Sequence, residues 1–395
     1  MSEIKGPMSA VISFFGEPVR QSINSLFHDL NVGVEALDLF KKYRRRHFDS
    51  IKSTLGSIKI LGMAQPIRLL SIYTPANVST TIHSRLYERD WYSAKSGEIV
   101  GSSEGVRKTQ SEIISADEYI DSHERVVILG GPGSGKTTFL RFLSLAYSDK
   151  EIFKNTNLKT SKFPMFVSVL AFSKRKDTSK TLFDYIAREL EAKTDKNATY
   201  FVRRILDRGL GIILLDGLDE VSLGDRNDVI REIKGICNIF PNSKIVISCR
   251  TADYIVTFEN FHEVELTKLT NEAVKNVIRA WFGSSPEKAT KLIKHLEYDK
   301  SVQSLTETPL LLSLLCIQFH HDLSLPKRKT ELYKRCIDAL LRDWDASRGF
   351  RRDTAYANLS DDRKERIFEH IAGKYFGDQI QYYFPEAELH REIGY

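Results

Sequence analysis

The sequence predicts an α/β protein: a parallel sheet held between two layers of helices, followed by an all-helical part. Three observations predict it. Between Val126 and Leu266, strand-like and helix-like stretches alternate. One strand, "RVVILG", runs straight into a glycine-rich loop, "GGPGSGKTT", and then into a helical pattern. Another, "GIILLDGLDE", is apolar without a break and ends in acids. Alternation of this kind implies βαβ units, and a strand apolar at consecutive positions is buried on both faces.

The elements follow in order. In "SINSLFHDLNVGVEALDLFKKYRRRHF" apolar positions recur at three- and four-residue intervals, which lines one helix face. Its end carries Lys41, Lys42, Arg44, Arg45 and Arg46, which reads as a solvated helix end whose cations suit the C-terminal dipole, with binding of phosphates or acidic lipid as the alternative. "SIKILGMAQPIRLLSIYTPANVSTTI" is broken by Gly62, Pro66 and Pro75 and reads as a short extended segment or hairpin. "SAKSGEIVGSSEGVRKTQ" reads as an exposed loop, and "SADEYIDSHE" as a capped helix. "FPMFVSVL", "KIVISCR" and "HEVEL" are the remaining strands. "TLFDYIAREL", "TYFVRRILDR" and "NDVIREIKGICNIF" are helices between them. Beyond residue 270 the pattern is helical, including "TPLLLSLLCIQFHH" and "RKTELYKRCIDALLRDWDASRG".

At 395 residues the chain is long enough for two or three domains. A net charge of +6 spread over the whole chain gives little support for a nucleic-acid partner. The four cysteines, Cys237, Cys249, Cys316 and Cys336, form no CxxC pair, so neither a zinc site nor a disulfide framework is indicated. A reducing, cytoplasmic setting fits. No run approaches the ~20 apolar residues of a membrane span, and the N-terminus does not read as a signal peptide.

The loop carries the chemistry. Gly130 to Thr137 fits G-x-x-x-x-G-K-[ST], between a strand and a helix, which is the context a P-loop requires. Gly130, Gly133 and Gly135 allow a tight turn whose N–H groups face phosphate oxygens. Gly131, Pro132, Ser134 and Thr138 complete the candidate contact set. Lys136 is placed to reach the β and γ phosphates, and Thr137 to offer a hydroxyl to Mg²⁺. Asp216, at the tip of the acid strand, is the second Mg²⁺ candidate, acting through water. Asp219 and Glu220 are candidate catalytic acids, because Gly217 occupies the position directly after Asp216. Arg250, just past "KIVISC", is placed to read a γ-phosphate.

"GGPGSGKTT", "LLDGLDEV" and "ISCRTADY", in this order and spacing, resemble the NACHT module, a branch of the STAND signal-transduction NTPases. "IKILGMAQPIRLLSIYTP" resembles the segment that precedes bacterial NACHT modules. "LTETPLLLSLLC" resembles the helix whose proline, here Pro309, approaches the adenine. "LPKRKTELYKRCIDALLRDWD" resembles the rest of a helical lid, and "LSDDRKERIFEHIAGKYF" the first helix of a winged helix. The resemblance spans roughly residues 55 to 376. It implies a division into a helical adaptor or effector segment (1–54), a linker and preceding segment (55–122), a nucleotide-binding domain (123–268) and a lid (269–350). The start of a winged-helix domain (351–395) follows, a domain that normally needs about 40 or more further residues. A membrane-active helix through "AVISFFGEPV" is the alternative for the first segment.

The resemblance implies a function as well. STAND proteins use nucleotide as a latch: ADP holds a closed monomer, ATP accompanies opening, and opened protomers assemble. Bacterial NACHT proteins resemble animal inflammasome receptors and are implicated in anti-phage defence. The expectation is therefore a slow, ATP/ADP-switched hydrolase of innate immunity, acting with Mg²⁺ and forming homo-oligomers. A phage-derived or host trigger and a separate sensor or effector are its expected partners. Two alternatives differ in kind. One is a mechanical ATPase, a loader or remodeller on nucleic acid or protein; the sequence offers no dense basic–aromatic groove for it. The other is a nucleotide-stabilised scaffold without productive hydrolysis.

Overall fold

The computed structural model describes residues 34–59, 66–82, 112–175, 181–194, 198–254, 258–299, 305–322 and 360–376, with a few further positions between 302 and 337. Four of the expected features lie wholly or mostly outside these residues: the "AVISFFGEPV" segment, the Ser/Gly-rich loop, most of "LPKRKTELYKRCIDALLRDWD" and the continuation of the winged helix.

Helix α1 (Val34–Leu55) comes first, then an antiparallel pair, β1 (Ser57–Ile58) and β2 (Ile67–Arg68), and a helical turn, α2 (Leu69–Ile72). Next are β3 (Asn77–Ser79), β4 (Ile113–Ser115) and α3 (Ala116–Ser122). The sequence continues through β5 (Arg125–Gly130), α4 (Lys136–Ser148), α5 (Lys150–Lys154), β6 (Phe163–Ser168), α6 (Val169–Ser173), α7 (Leu182–Thr194) and α8 (Ala198–Asp207). Then come β7 (Gly211–Asp216), a 3-10 turn (Leu218–Glu220), α9 (Leu223–Ile239), β8 (Lys244–Arg250) and β9 (His262–Leu266). Helices α10 (Asn271–Trp281), α11 (Pro286–Tyr298), α12 (Pro309–Asp322) and α13 (Asp361–Phe376) follow.

The main sheet has seven strands in the order β4-β3-β9-β5-β8-β7-β6. The five from β9 to β6 are parallel, as the alternation implies. The sheet is not wholly parallel, however: β3 pairs antiparallel with both β4 and β9. "NVS" and "IIS" lack the long apolar run of a doubly buried strand. As short strands at one edge they need no helical crossover. Residues 55–122, expected as linker and preceding segment, thus supply two strands and α3 to the sheet's assembly.

Alternation along each parallel strand fills two cores. Val127, Leu129, Ile213, Leu215, Ile245 and Ile247 face one side, under α7, α8 and α9. Val126, Ile128, Ile212, Leu214 and Val246 face the other, under α4. Helix α1 reaches both: Phe48 enters the first core, Ile51 and Leu55 the second. Its His47 donates from Nε2 to the Pro164 carbonyl oxygen of edge strand β6 at 2.8 Å, and stacks on Phe163. Lys52 pairs with Asp149 at 2.8 Å. The end of the expected adaptor segment is therefore built into the sheet's edge.

Local chemistry sets the remaining boundaries. "FPMFVSVL" stops as a strand at Ser168, whose hydroxyl accepts from the Ala171 amide and starts α6. Ser222 and Thr270 cap α9 and α10 in the same way. The first half of helix α12, residues 310–317, is apolar apart from Ser313 and is buried accordingly: Leu312, Leu314, Leu315 and Cys316 are inaccessible. With α10 and α11 they form a third core, separate from the two that flank the sheet.

Candidate functional site

The C-terminal ends of β5, β8 and β7 lie side by side, with β8 in the middle. Gly130 stands opposite Arg250, and Ser168 opposite Asp216. This end of a parallel sheet is where α/β proteins bind ligands. The residues singled out from the sequence on three different strands converge there.

The loop after β5 depends on its glycines. Gly133 and Gly135 have φ of 70° and 98°, which L side chains rarely adopt. Gly135 is the N-cap of α4 and, as a glycine, brings no capping side chain of its own. The helix's first-turn amides and positive dipole end thus face the bend, an anion site in physical terms. Lys136 folds back over the loop, donating to the carbonyls of Gly130 at 2.7 Å and Gly131 at 3.0 Å. Burial pulls its pKa below the usual lysine range; Asp219 opposes the shift and Arg250 adds to it.

Asp216 is tied to the loop. Thr137 donates to its Oδ1 at 3.1 Å, and Ser248 donates to the same oxygen at 2.7 Å. Ser248 also accepts from the Gly217 amide at 2.9 Å, so one buried hydroxyl fixes both the acid and the turn after it. Among the described residues no hydrogen bond falls on Oδ2 of Asp216. Burial pushes the Asp216 carboxyl above the ordinary range, against the hydrogen bonds from Ser248 and Thr137 and the charge of Arg141. A desolvated carboxylate beside a threonine hydroxyl is a hard-oxygen set that fits Mg²⁺.

Asp219 and Glu220 do not end the strand. The chain turns at Gly217, and both acids fall in the 3-10 turn that follows. Asp219 is engaged: Oδ2 lies 2.9 Å from Nε of Arg250, and Oδ1 accepts from the Arg250 amide at 3.1 Å. Glu220 is exposed, and its carboxyl group folds back over Gly217.

Pro309 and Leu310, the first residues of α12, lie against the glycine-rich loop. A Cβ added at Gly135 would sit 3.5 Å from Pro309 Cγ, and one at Gly133 only 2.4 Å from Leu310 Cβ. The Leu310 amide donates to the Gly133 carbonyl at 3.4 Å. Helix α12 therefore rests directly on the loop.

Residues 124–285 match the family model for the NACHT domain. The chain carries a NACHT domain. The matched residues contain the three strand-tip groups just described. No curated protein sequence matches the chain. Among solved structures, a variant of Thermotoga maritima RuvB is similar at 14% identity, over 68% of this chain and 74% of that one, with a TM-score of 0.32. AMPPCP-bound DnaA from Aquifex aeolicus is similar at 12% identity, over 69% and 78%, with a TM-score of 0.31. Caenorhabditis elegans PCH-2 is similar at 14% identity, over 54% and 60%, with a TM-score of 0.30. TM-scores this low carry no functional argument. No described helix is long and apolar enough to cross a membrane.

Three residues of the NACHT domain site escape a reading of motifs. Ser248 shares a strand face with Arg250, two positions on, and that spacing was the available signal. Arg141, one turn beyond Thr137 on α4, acts electrostatically on Asp216, and among the described residues its buried Nε has no hydrogen-bond partner. Arg226, on α9, donates to the Asp219 carbonyl at 3.3 Å and the Asp253 carbonyl at 3.4 Å. Nothing in the local sequence marks Arg226.

Proposed function

We propose that the NACHT domain is an ATP/ADP-operated switch that hydrolyses ATP slowly, and that its lid reports which nucleotide is bound. One observation carries this reading: the first turn of α12 sits on the phosphate-binding loop through the Leu310–Gly133 contact. A change at the phosphates then cannot be isolated from the position of the lid. In this reading the loop amides and Lys136 hold the phosphates, and Pro309 lies beside the base. Thr137 and Asp216 would hold Mg²⁺, which when bound would neutralise charge on the phosphates. Arg250 senses the third phosphate, and Glu220 is the acid that orients water.

Opening of the lid would uncover surface for assembly into a homo-oligomer. The family's roles in innate immunity support a cytoplasmic protein of bacterial anti-phage defence, answering a phage-derived or host trigger. The test is the nucleotide that accompanies the purified protein, with its mass in solution before and after ATP. The reading expects bound ADP, a monomer, and a larger species with ATP and trigger. Turnover should fall well below the ~10 per second of a typical enzyme. A constitutively fast ATPase of unchanging mass would overturn it.

A further inference from the structure

The acid turn holds two carboxylates of opposite circumstance. Glu220 is exposed. Asp219 has a side chain only 7% exposed, and both of its oxygens are committed to one residue. Oδ1 takes the backbone N–H of Arg250, and Oδ2 takes its side-chain Nε. We infer that Asp219 is a positioning residue for Arg250: it grips the arginine at both ends of the side chain's base and aims the guanidinium at the phosphate loop. This rests on the reading in which Arg250 senses the third phosphate.

The geometry supports that division of labour. An aspartate that binds Nε leaves the two Nη groups as the outer edge of the fork. Among the described residues no hydrogen bond falls on either Nη of Arg250, and its side chain is 36% exposed. The fork's free edge has the shape that pairs with two phosphate oxygens. The guanidinium is also close enough to Lys136 to lower that ammonium's pKa. Asp219 itself is anchored from behind: Arg226 donates to its carbonyl and to those of Val221 and Asp253. The turn carrying the acid and the turn following β8 are thus laced together. Each of its oxygens already accepts from Arg250, which holds the carboxylate toward the arginine.

The test compares equilibrium affinities of the full chain for Mg·ADP and for a non-hydrolysable Mg·ATP analogue. Arg250→Gln should lower the ATP-over-ADP ratio by about tenfold, the scale of one charge-assisted hydrogen bond. Asp219→Asn should lower it nearly as far, and the double variant no further than Arg250→Gln alone. Glu151→Gln, at a surface ion pair on α5 away from the site, should leave the ratio unchanged. Asp219→Glu keeps the anion and serves if the asparagine variant does not fold; it should retain part of the ratio. The inference fails if Arg250→Gln lowers the ratio while Asp219→Asn and Asp219→Glu keep it, or if the double variant is additive. No response to Arg250→Gln would instead remove the sensing role, and the inference with it.

Discussion

Two lysines sit at opposite ends of the same sheet and do similar chemistry to different ends. At the bottom, Lys244 opens β8, and its Nζ donates to the carbonyls of Ile120, Asp121 and His123 at 2.6–3.0 Å. These are the last carbonyls of α3 and the residue just beyond it, so the ammonium is a C-terminal cap placed in the interior. It is 2% exposed and has one acceptor for each of its three protons. At the top, Lys136 also holds carbonyls, but they belong to its own loop. Its third contact is a long 3.4 Å approach to the Ser134 hydroxyl, and the residue is only half-buried. The saturated lysine is architecture. The under-satisfied one holds its place with partners that a phosphate can outbid.

Substitutions can break this contrast. The largest effect is expected of Lys136→Ala, which should weaken nucleotide binding by about 100-fold, the value of two or so charge-assisted contacts. Its thermal melt without nucleotide should stay near that of the parent protein. Lys244→Met should do the reverse. It should cost about 3 kcal/mol in chemical denaturation, because three buried carbonyls lose their donor, and leave the affinity of the folded protein within about twofold. If Lys244→Met impaired binding as much as Lys136→Ala, the two ends would not be separable. Gly133→Ala sharpens the picture at the top. The added methyl meets Leu310 and the backbone is strained, so we expect a loss of about 1–2 kcal/mol and faster nucleotide release. Stopped-flow displacement would read the release.

The smallest effect concerns Asp117, in the first turn of the helix that Lys244 caps. Burial pushes its carboxyl up, but hydrogen bonds from Ser115, Asn157 and the Glu118 amide bring it below the ordinary range. A depressed carboxyl stabilises the fold above its unfolded pKa of about 3.9, and that contribution disappears as pH falls through the lower, folded value. Asp117→Asn should therefore flatten the acid limb of the stability–pH curve slightly, without altering nucleotide affinity at neutral pH.

Much of this was legible in the residues, and the reason is local. A glycine-rich bend between a strand and a helix has few physical uses, and "GIILLD" can only be a doubly buried strand. The positions of Asp216 and Arg250 followed once those strands were parallel neighbours. What escaped needed distances across the chain. The antiparallel strands β3 and β4 are three residues each, too short to show a period. The docking of α1 rests on His47 meeting Pro164 across the sheet edge, and no spacing encodes that. Asp219 read as one acid among three, because its commitment to Arg250 depends on how the turn after Gly217 closes.

The central claim is that the third phosphate is sensed at the strand tips and relayed to the lid through the Leu310–Gly133 seat. The most direct measurement is the distance from the phosphate loop to α12, read by paired spin labels on the exposed surfaces of α4 and α12. It is compared between Mg·ADP and a non-hydrolysable Mg·ATP analogue, with trigger-containing lysate in both samples. The account predicts a longer distance with the ATP analogue, and no change in Arg250→Gln. Equal distances with both nucleotides in the parent protein would contradict it.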